Sequence, residues 1–321
     1  MSLHDGGPGA VLRHELVLHD GPADLLDLVV SYVAEGEADD DVVVVQGEPT
    51  FVDAVVRAVP DGSRVHTVAA PSGARHPARD LHRFLILLND LGAGVRPTRV
   101  VNQMPTMTAA GWREWRRYEA AVNVTLAPFP IRGTCAYDSR SVSDGMVEDL
   151  LATHSHVRTA QGPDLNAAFA GFDDHVAGYL RSAPHPRAFS EPTLSLTEPT
   201  AAQARATVRQ LGTRAGLDAS AVEASVLATS EAVANGRLHG SPPVVLRAWV
   251  ASGRVTVAVS DTGTGPDPLV GLLPQPSREA ESGRGMAIVH HLLDDVHHRV
   301  SADGYTITFS VSCGTGAAEA S

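Results

Sequence analysis

Glu231 and Asn235 stand four residues apart in a stretch, Ala221 to Leu238, that reads as one helix with Asp218 placed to cap it. At that spacing the two side chains share a face, one turn above each other. A carboxylate beside an amide carbonyl suits a hydrated Mg²⁺ ion and the phosphates it carries. Two glycine-bearing turns follow. Asp261-Thr262-Gly263-Thr264-Gly265 puts a carboxylate at the end of an apolar run. There it can accept from an amino group while the glycines let the backbone turn tightly. Gly283-Arg284-Gly285 opens another helical stretch, Met286 to Leu293. Glycines before a helix N-terminus let backbone N–H groups approach phosphate. Each fragment alone is ordinary, since Asp-Thr-Gly is also a common turn and a buried Asn or Glu can merely satisfy its neighbours. Their order and spacing carry the signal.

The elements that must hold these residues are legible around them. Val222, Val226 and Val233 recur near helical spacing, so one stripe of the Glu231 helix faces a core. Ahead of it come a short strand, Thr193 to Thr197, and a helix, Thr200 to Gly216, with Ala204, Val208 and Leu211 as its apolar stripe. After a Pro-Pro turn come strands Val244 to Val250 and Arg254 to Ser260, the second running into Asp261. Tyr305 to Ser312 is the last strand. Between the glycine turns lies a lid, Pro266 to Ser282, with Leu269, Leu272 and Leu273 placed to close over a ligand or meet a partner.

With Glu231…Asn235, Asp261-x-Gly263-x-Gly265 and Gly283-x-Gly285 in this order, residues 194 to 311 resemble the Bergerat-fold (GHKL) ATPases. Ser230 through Gly240 is most similar to the branch of protein-serine kinases that act on anti-sigma-factor systems. The resemblance implies a C-terminal Bergerat α/β sandwich, over residues 193–313, that takes ATP and Mg²⁺. It implies that Asn235 holds the metal and Glu231 is the general base. Asp261 would bind the adenine amino group, with Gly263 and Gly265 shaping that pocket. Gly283, Arg284 and Gly285 would border the triphosphate, and Thr306 would sit near the adenine. It implies an anti-sigma-factor antagonist as phosphoryl acceptor, a sigma factor as a further partner, and a homodimer. Two alternatives stay open: an atypical sensor histidine kinase, and a partner switch that binds ATP without transferring phosphate.

The chain has 321 residues, enough for two domains, and a net charge of −12. The acidic balance argues against non-specific nucleic-acid binding. Cys135 and Cys313 are far apart and offer neither a disulfide framework nor zinc spacing, so both are expected to be reduced in a cytoplasmic protein. No basic stretch with a long apolar run opens the chain, and no segment approaches the ~20 apolar residues of a membrane span.

The first half alternates strand and helix. Strands are expected at Glu15–Leu18, at Asp41–Gln46 with its four valines, and at 64–68, 99–102 and 131–137. Helices are expected at 22–34, 50–58, 78–91, 109–122 and 143–153. This order predicts a parallel sheet with helices on both faces. Gly47-Glu48-Pro49-Thr50 follows the valine strand as a phosphate loop would, but such a loop needs a lysine and the chain contains none. Glu119-Ala120-Ala121-Val122-Asn123 repeats the Glu-x-x-x-Asn spacing without the aspartate–glycine turn, and reads as an ordinary helix end.

Arg13-His14-Glu15-Leu16, Tyr118 to Asn123, Cys135-Ala136-Tyr137-Asp138 and Thr153-His154 together resemble the MEDS sensory domain over residues 11–157. That resemblance implies a nucleotide-binding-like α/β fold without its phosphate loop, and an unidentified small-molecule ligand. His14-Glu15 also copies the phosphoacceptor of sensor histidine kinases, but its surroundings read as the start of a strand, not a helical hairpin. For His154 and His156, solvent-facing and ligand-pocket roles are both open. His290, His291, His297 and His298 read as surface residues. Residues 158–192, with their prolines and a short helix at 174–180, read as a linker.

Overall fold

The computed structural model describes residues 12–60, 63–70, 77–93, 96–106, 109–170, 191–267, 269–272, 284–293 and 296–312. The chain divides into two units after residue 175.

In the first unit, strands β1 (Arg13–His19), β2 (Val42–Gly47), β3 (Val65–Ala69), β4 (Thr98–Gln103) and β5 (Ile131–Asp138) alternate with helices α1 (Pro22–Ala38), α2 (Pro49–Ala58), α3 (Pro77–Asp90), α4 (Ala109–Thr125) and α5 (Asp144–Thr153). Two short strands, β6 (His156–Thr159) and β7 (Gly162–Leu165), complete a sheet of order β3-β2-β4-β5-β1-β6-β7. Every pairing is parallel except β6 with β7. Alternation along the strands divides the core. Val17, Val43, Val45, Val101 and Ala136 pack against α1 and α2. Leu16, Val44 and Tyr137 point the other way, where Trp112 of α4 meets the Tyr137 ring edge-on. Helices therefore cover both faces, as the strand–helix alternation predicts.

Residues 158–165 finish this sheet and do not belong to a linker. His156-Val157-Arg158-Thr159 has no apolar run to announce a strand. It pairs with β1 and β7 through the backbone, and a buried ion pair, Arg158 Nε to Glu15 Oε2 at 2.5 Å, adds a side-chain tie to β1. Residues 174–180, expected to be a short helix, lie outside the described residues.

In the second unit, β8 (Leu194–Thr197), β9 (Val245–Ala251), β10 (Arg254–Asp261), β11 (Val296–Ser301) and β12 (Gly304–Ser312) form an antiparallel sheet of order β11-β12-β10-β9-β8. Among the described residues, helices α6 (Ala201–Arg214), α7 (Ala219–His239) and α8 (Arg284–Leu292) pack on it. Thr200 and Gln203 form a capping box at α6. Asp218 Oδ1 accepts from Ala221 N at 2.8 Å at the start of α7. A cap is worth about 1 kcal/mol. Burying Val222, Val226 and Val233 against the sheet contributes roughly 1.5–3 kcal/mol each. Packing therefore holds α7 in place, and the cap sets where it starts.

β11 has no counterpart among the sequence expectations. Val296-His297-His298-Arg299-Val300-Ser301 carries histidines where a strand signal needs apolar residues, yet it pairs with β12, Val296 opposite Phe309.

Candidate functional site

In the second unit a cavity of about 300 Å³ is lined by residues of α7, β10, β12, the turn after β10 and the first turn of α8. Asn235 and Asp261 both line it. Asp261 is the last residue of β10 and is 7% exposed. Its Oδ1 accepts from Gly263 N at 2.7 Å and Ser241 N at 3.2 Å. Both bonds use one oxygen, which orients the carboxylate and leaves the direction of Oδ2 to a donor in the cavity.

Glycines make this arrangement possible. A Cβ on Gly240 would lie 2.5 Å from Asp261 Cγ, and one on Gly263 would lie 2.8 Å from Asp261 Oδ1. Gly265 has φ +81°, which side-chain-bearing residues rarely adopt, and it lies against Tyr305. A Cβ on Gly285 would collide with Glu231 Oε2. The first turn of α8 thus sits directly on the Glu231 carboxylate.

The remaining sequence candidates are placed as follows. Gly265 lines the cavity, while Gly263 supplies the N–H that fixes Asp261. Glu231 lies one helical turn before Asn235 and is not among the lining residues, which begin on α7 at Ala232. Arg284 is the first residue of α8, and its side chain is outside the described residues, as are Gly283 and most of the lid. Thr306 is a correction. Tyr305 and Ile307 line the cavity, and in a strand the residue between them points to the opposite face. Thr306 is therefore not brought to the site. Met286, Tyr305 and Ile307, the apolar walls, were missed, although the period of two in β12 was available to separate Tyr305 from Thr306.

His290 and His298 are also corrected. Both are 2% exposed. Their Nε2 atoms lie 2.7 Å apart, and His298 Nδ1 meets the Tyr305 hydroxyl at 2.5 Å. They brace the back of the cavity wall. The β11 pairing, which turns His298 inward, is what the sequence reading lacked.

The first unit holds a second polar cluster. His14, Glu119, Cys135 and His154 are buried, on β1, α4, β5 and the residue that ends α5. Glu119 Oε2 lies 3.4 Å from His14 Nε2, 3.5 Å from His154 Nε2 and 3.6 Å from Cys135 Sγ. Tyr137 donates a short hydrogen bond to Glu119 Oε1. Burial pushes the Glu119 carboxyl up, but the bonding and charge of the two histidines and Tyr137 outweigh it and hold it below the usual range. Burial, and next the charge of His14, push His154 down to about 3. The Glu119-to-Asn123 helix end is thus no ordinary helix terminus. His14 at 1% exposure cannot serve as an accessible phosphoacceptor.

On the α1 face of the same sheet, Arg99 reaches Asp41, Glu35 and Asp39, and Arg99 and Arg158 both stand over the Tyr32 ring. Among the described residues, the cavity beside His14 and Cys135 is about 20 Å³, room for one water.

A mostly parallel α/β module followed by an antiparallel α/β sandwich with a small-molecule-sized cavity is the class these two folds and sites define. Comparison with known families agrees: residues 13–155 match MEDS, the MEthanogen/methylotroph, DcmR Sensory domain. Residues 194–311 match the histidine kinase-like ATPase domain. The chain carries both domains in that order, which supports a kinase-like ATPase regulator with a MEDS sensory domain. No curated protein matches the chain. Among the described residues, no helix is long and apolar enough to cross a membrane.

The ATPase family implies ATP as ligand, and the cavity fits it. A volume of this size is within the range of small-molecule pockets. Its apolar walls suit a base, Asp261 offers an acceptor to an exocyclic amino group, and Asn235 brings a side-chain amide to the lining.

Proposed function

We propose that this chain is a cytoplasmic Mg-ATP-dependent protein-serine/threonine kinase of anti-sigma-factor type, controlled by its MEDS domain. The observation that carries the reading is Asp261, held by two backbone N–H groups in the same cavity that Asn235 lines. Asn235 would hold Mg²⁺, and Glu231 would accept the proton of the attacking hydroxyl. Bound Mg-ATP supplies the transferable phosphoryl group. Asp261 selects adenine, and the glycine turns let backbone approach the nucleotide without a clash. An anti-sigma-factor antagonist is the acceptor; a sigma factor and a second copy of the chain are the further partners. Nucleic acid is not a partner, in keeping with the net charge of −12.

Labelled ATP mixed with candidate antagonists tests this. Transfer of label to serine or threonine is expected, with loss of at least about 100-fold in rate for Glu231→Ala, the usual scale of a general base. No transfer, with ATP binding intact, rejects the kinase.

One observation favours a second reading. The Glu231 carboxylate packs against Gly285 and is not part of the cavity lining. A switch that binds ATP and changes partner without phosphoryl transfer needs no base there. In that case Glu231→Ala leaves signalling largely intact.

A further inference from the structure

The cluster in the first unit has a feature that hydrogen bonding alone does not explain. Asn123 Nδ2 donates to Thr153 O at 2.7 Å and Glu119 O at 3.3 Å, so its Oδ1 is the atom facing His14 Nδ1, at 3.1 Å. An amide oxygen only accepts, so His14 carries its proton on Nδ1. His154 Nδ1 faces the carbonyl oxygen of Leu150 at 2.8 Å, which fixes its proton on Nδ1 as well. In the neutral rings both Nε2 lone pairs then point inward, at the Glu119 carboxylate and the Cys135 sulfur. His154 Nε2 is fully buried and has no hydrogen-bond partner. A single added proton shared by His14 and Glu119 would still leave His154 facing a carboxylate with nothing between them.

A dication satisfies all four groups at once. Bonds of about 2.0–2.3 Å in tetrahedral geometry separate neighbouring donor atoms by roughly 3.3–3.8 Å. Four of the six separations fall in that range, 3.4 Å for His14 Nε2 to both Glu119 and Cys135, 3.5 Å for His154 to Glu119 and 3.6 Å for Cys135 to Glu119, and all four atoms lie within 4.8 Å of one another. The outer contacts are those that orient metal ligands: an amide and a carbonyl on the two Nδ1 atoms, and a phenol on the free carboxylate oxygen.

We propose that His14, Glu119, Cys135 and His154 bind one first-row transition dication, with zinc(II) the best fit to two imidazoles, a carboxylate and a thiolate. The ligands come from β1, α4, β5 and the end of α5, so the ion ties together both sides of that domain's α4–α5 face. Binding releases the Cys135 thiol proton to solvent. With all four positions taken by protein, the site holds structure or reports metal and does not hydrolyse. This proposal does not depend on the kinase reading.

The test is titration of the chelator-stripped, full-length protein with cobalt(II). A near-ultraviolet thiolate-to-cobalt band and visible bands of tetrahedral strength, saturating at one equivalent and bleached by zinc, are expected. Cys135→Ser should remove the thiolate band and Cys313→Ser should keep it. His154→Gln should weaken cobalt affinity at least about tenfold. A stripped protein with an intact far-ultraviolet spectrum but no thiolate band overturns the proposal and leaves a hydrogen-bonded polar core. Should Cys135→Ser not fold, the wild-type spectrum set against Cys313→Ser still decides.

Discussion

Asp261 shows how one side chain fixes a site. Two backbone N–H groups hold one oxygen, and two glycines leave it room. Asp261→Asn replaces one acceptor with a donor, and ATP affinity measured by calorimetry should fall at least about tenfold, the equivalent of one lost hydrogen bond. Thr306→Val should change that affinity less than about twofold, because a buried-site hydrogen bond is worth more than that and Thr306 faces away. Gly285→Ala should impair the site through Glu231, which its new methyl would strike. His19 gives a pH dependence. Burial, its largest influence, lowers its pKa in the folded chain. The unfolded chain then takes up the proton first as pH falls, so the stability His19 contributes is complete above about pH 6.5 and is withdrawn below it. Thermal midpoints between pH 7 and 5 should fall less steeply in His19→Gln.

At the scale of elements, the long periodic segments and the short strands β3 and β8 were legible, while β6, β7 and β11 were not. α7 was readable from its cap and valine stripe, and the observed helix runs only two residues earlier and one later than expected. Asp218→Ala should cost about 1 kcal/mol in the denaturant midpoint of the second unit, since packing remains. β6, β7 and β11 escaped because charge and histidine occupy positions where periodicity needs apolar residues. Their pairing is decided by distant partners such as Glu15 and Tyr305, which no local window contains. The Glu119-to-Asn123 segment was misread for the same reason. Its chemistry comes from β1, β5 and the end of α5, brought together only by the sheet. Within the nucleotide site, motif spacing located Asn235, Asp261 and the glycine turns. It could not show that Glu231 would lie under α8 rather than among the lining residues.

For the whole molecule, two units with separate cores predict separate responses to ligands. ATP at about 100 times its Kd should stabilise the second unit by roughly 2.7 kcal/mol, and leave the first unchanged. Differential scanning calorimetry with and without ATP would resolve this as one shifted transition beside one that stays. The most direct measurement is isothermal titration of the full chain with ATP, in magnesium and in chelator, for wild type and Asn235→Ala. One site per chain is predicted, with magnesium tightening it in wild type and doing so much less in the variant. Wild-type protein that is folded and takes up no ATP, or binds it equally with and without Asn235 and magnesium, would contradict the account.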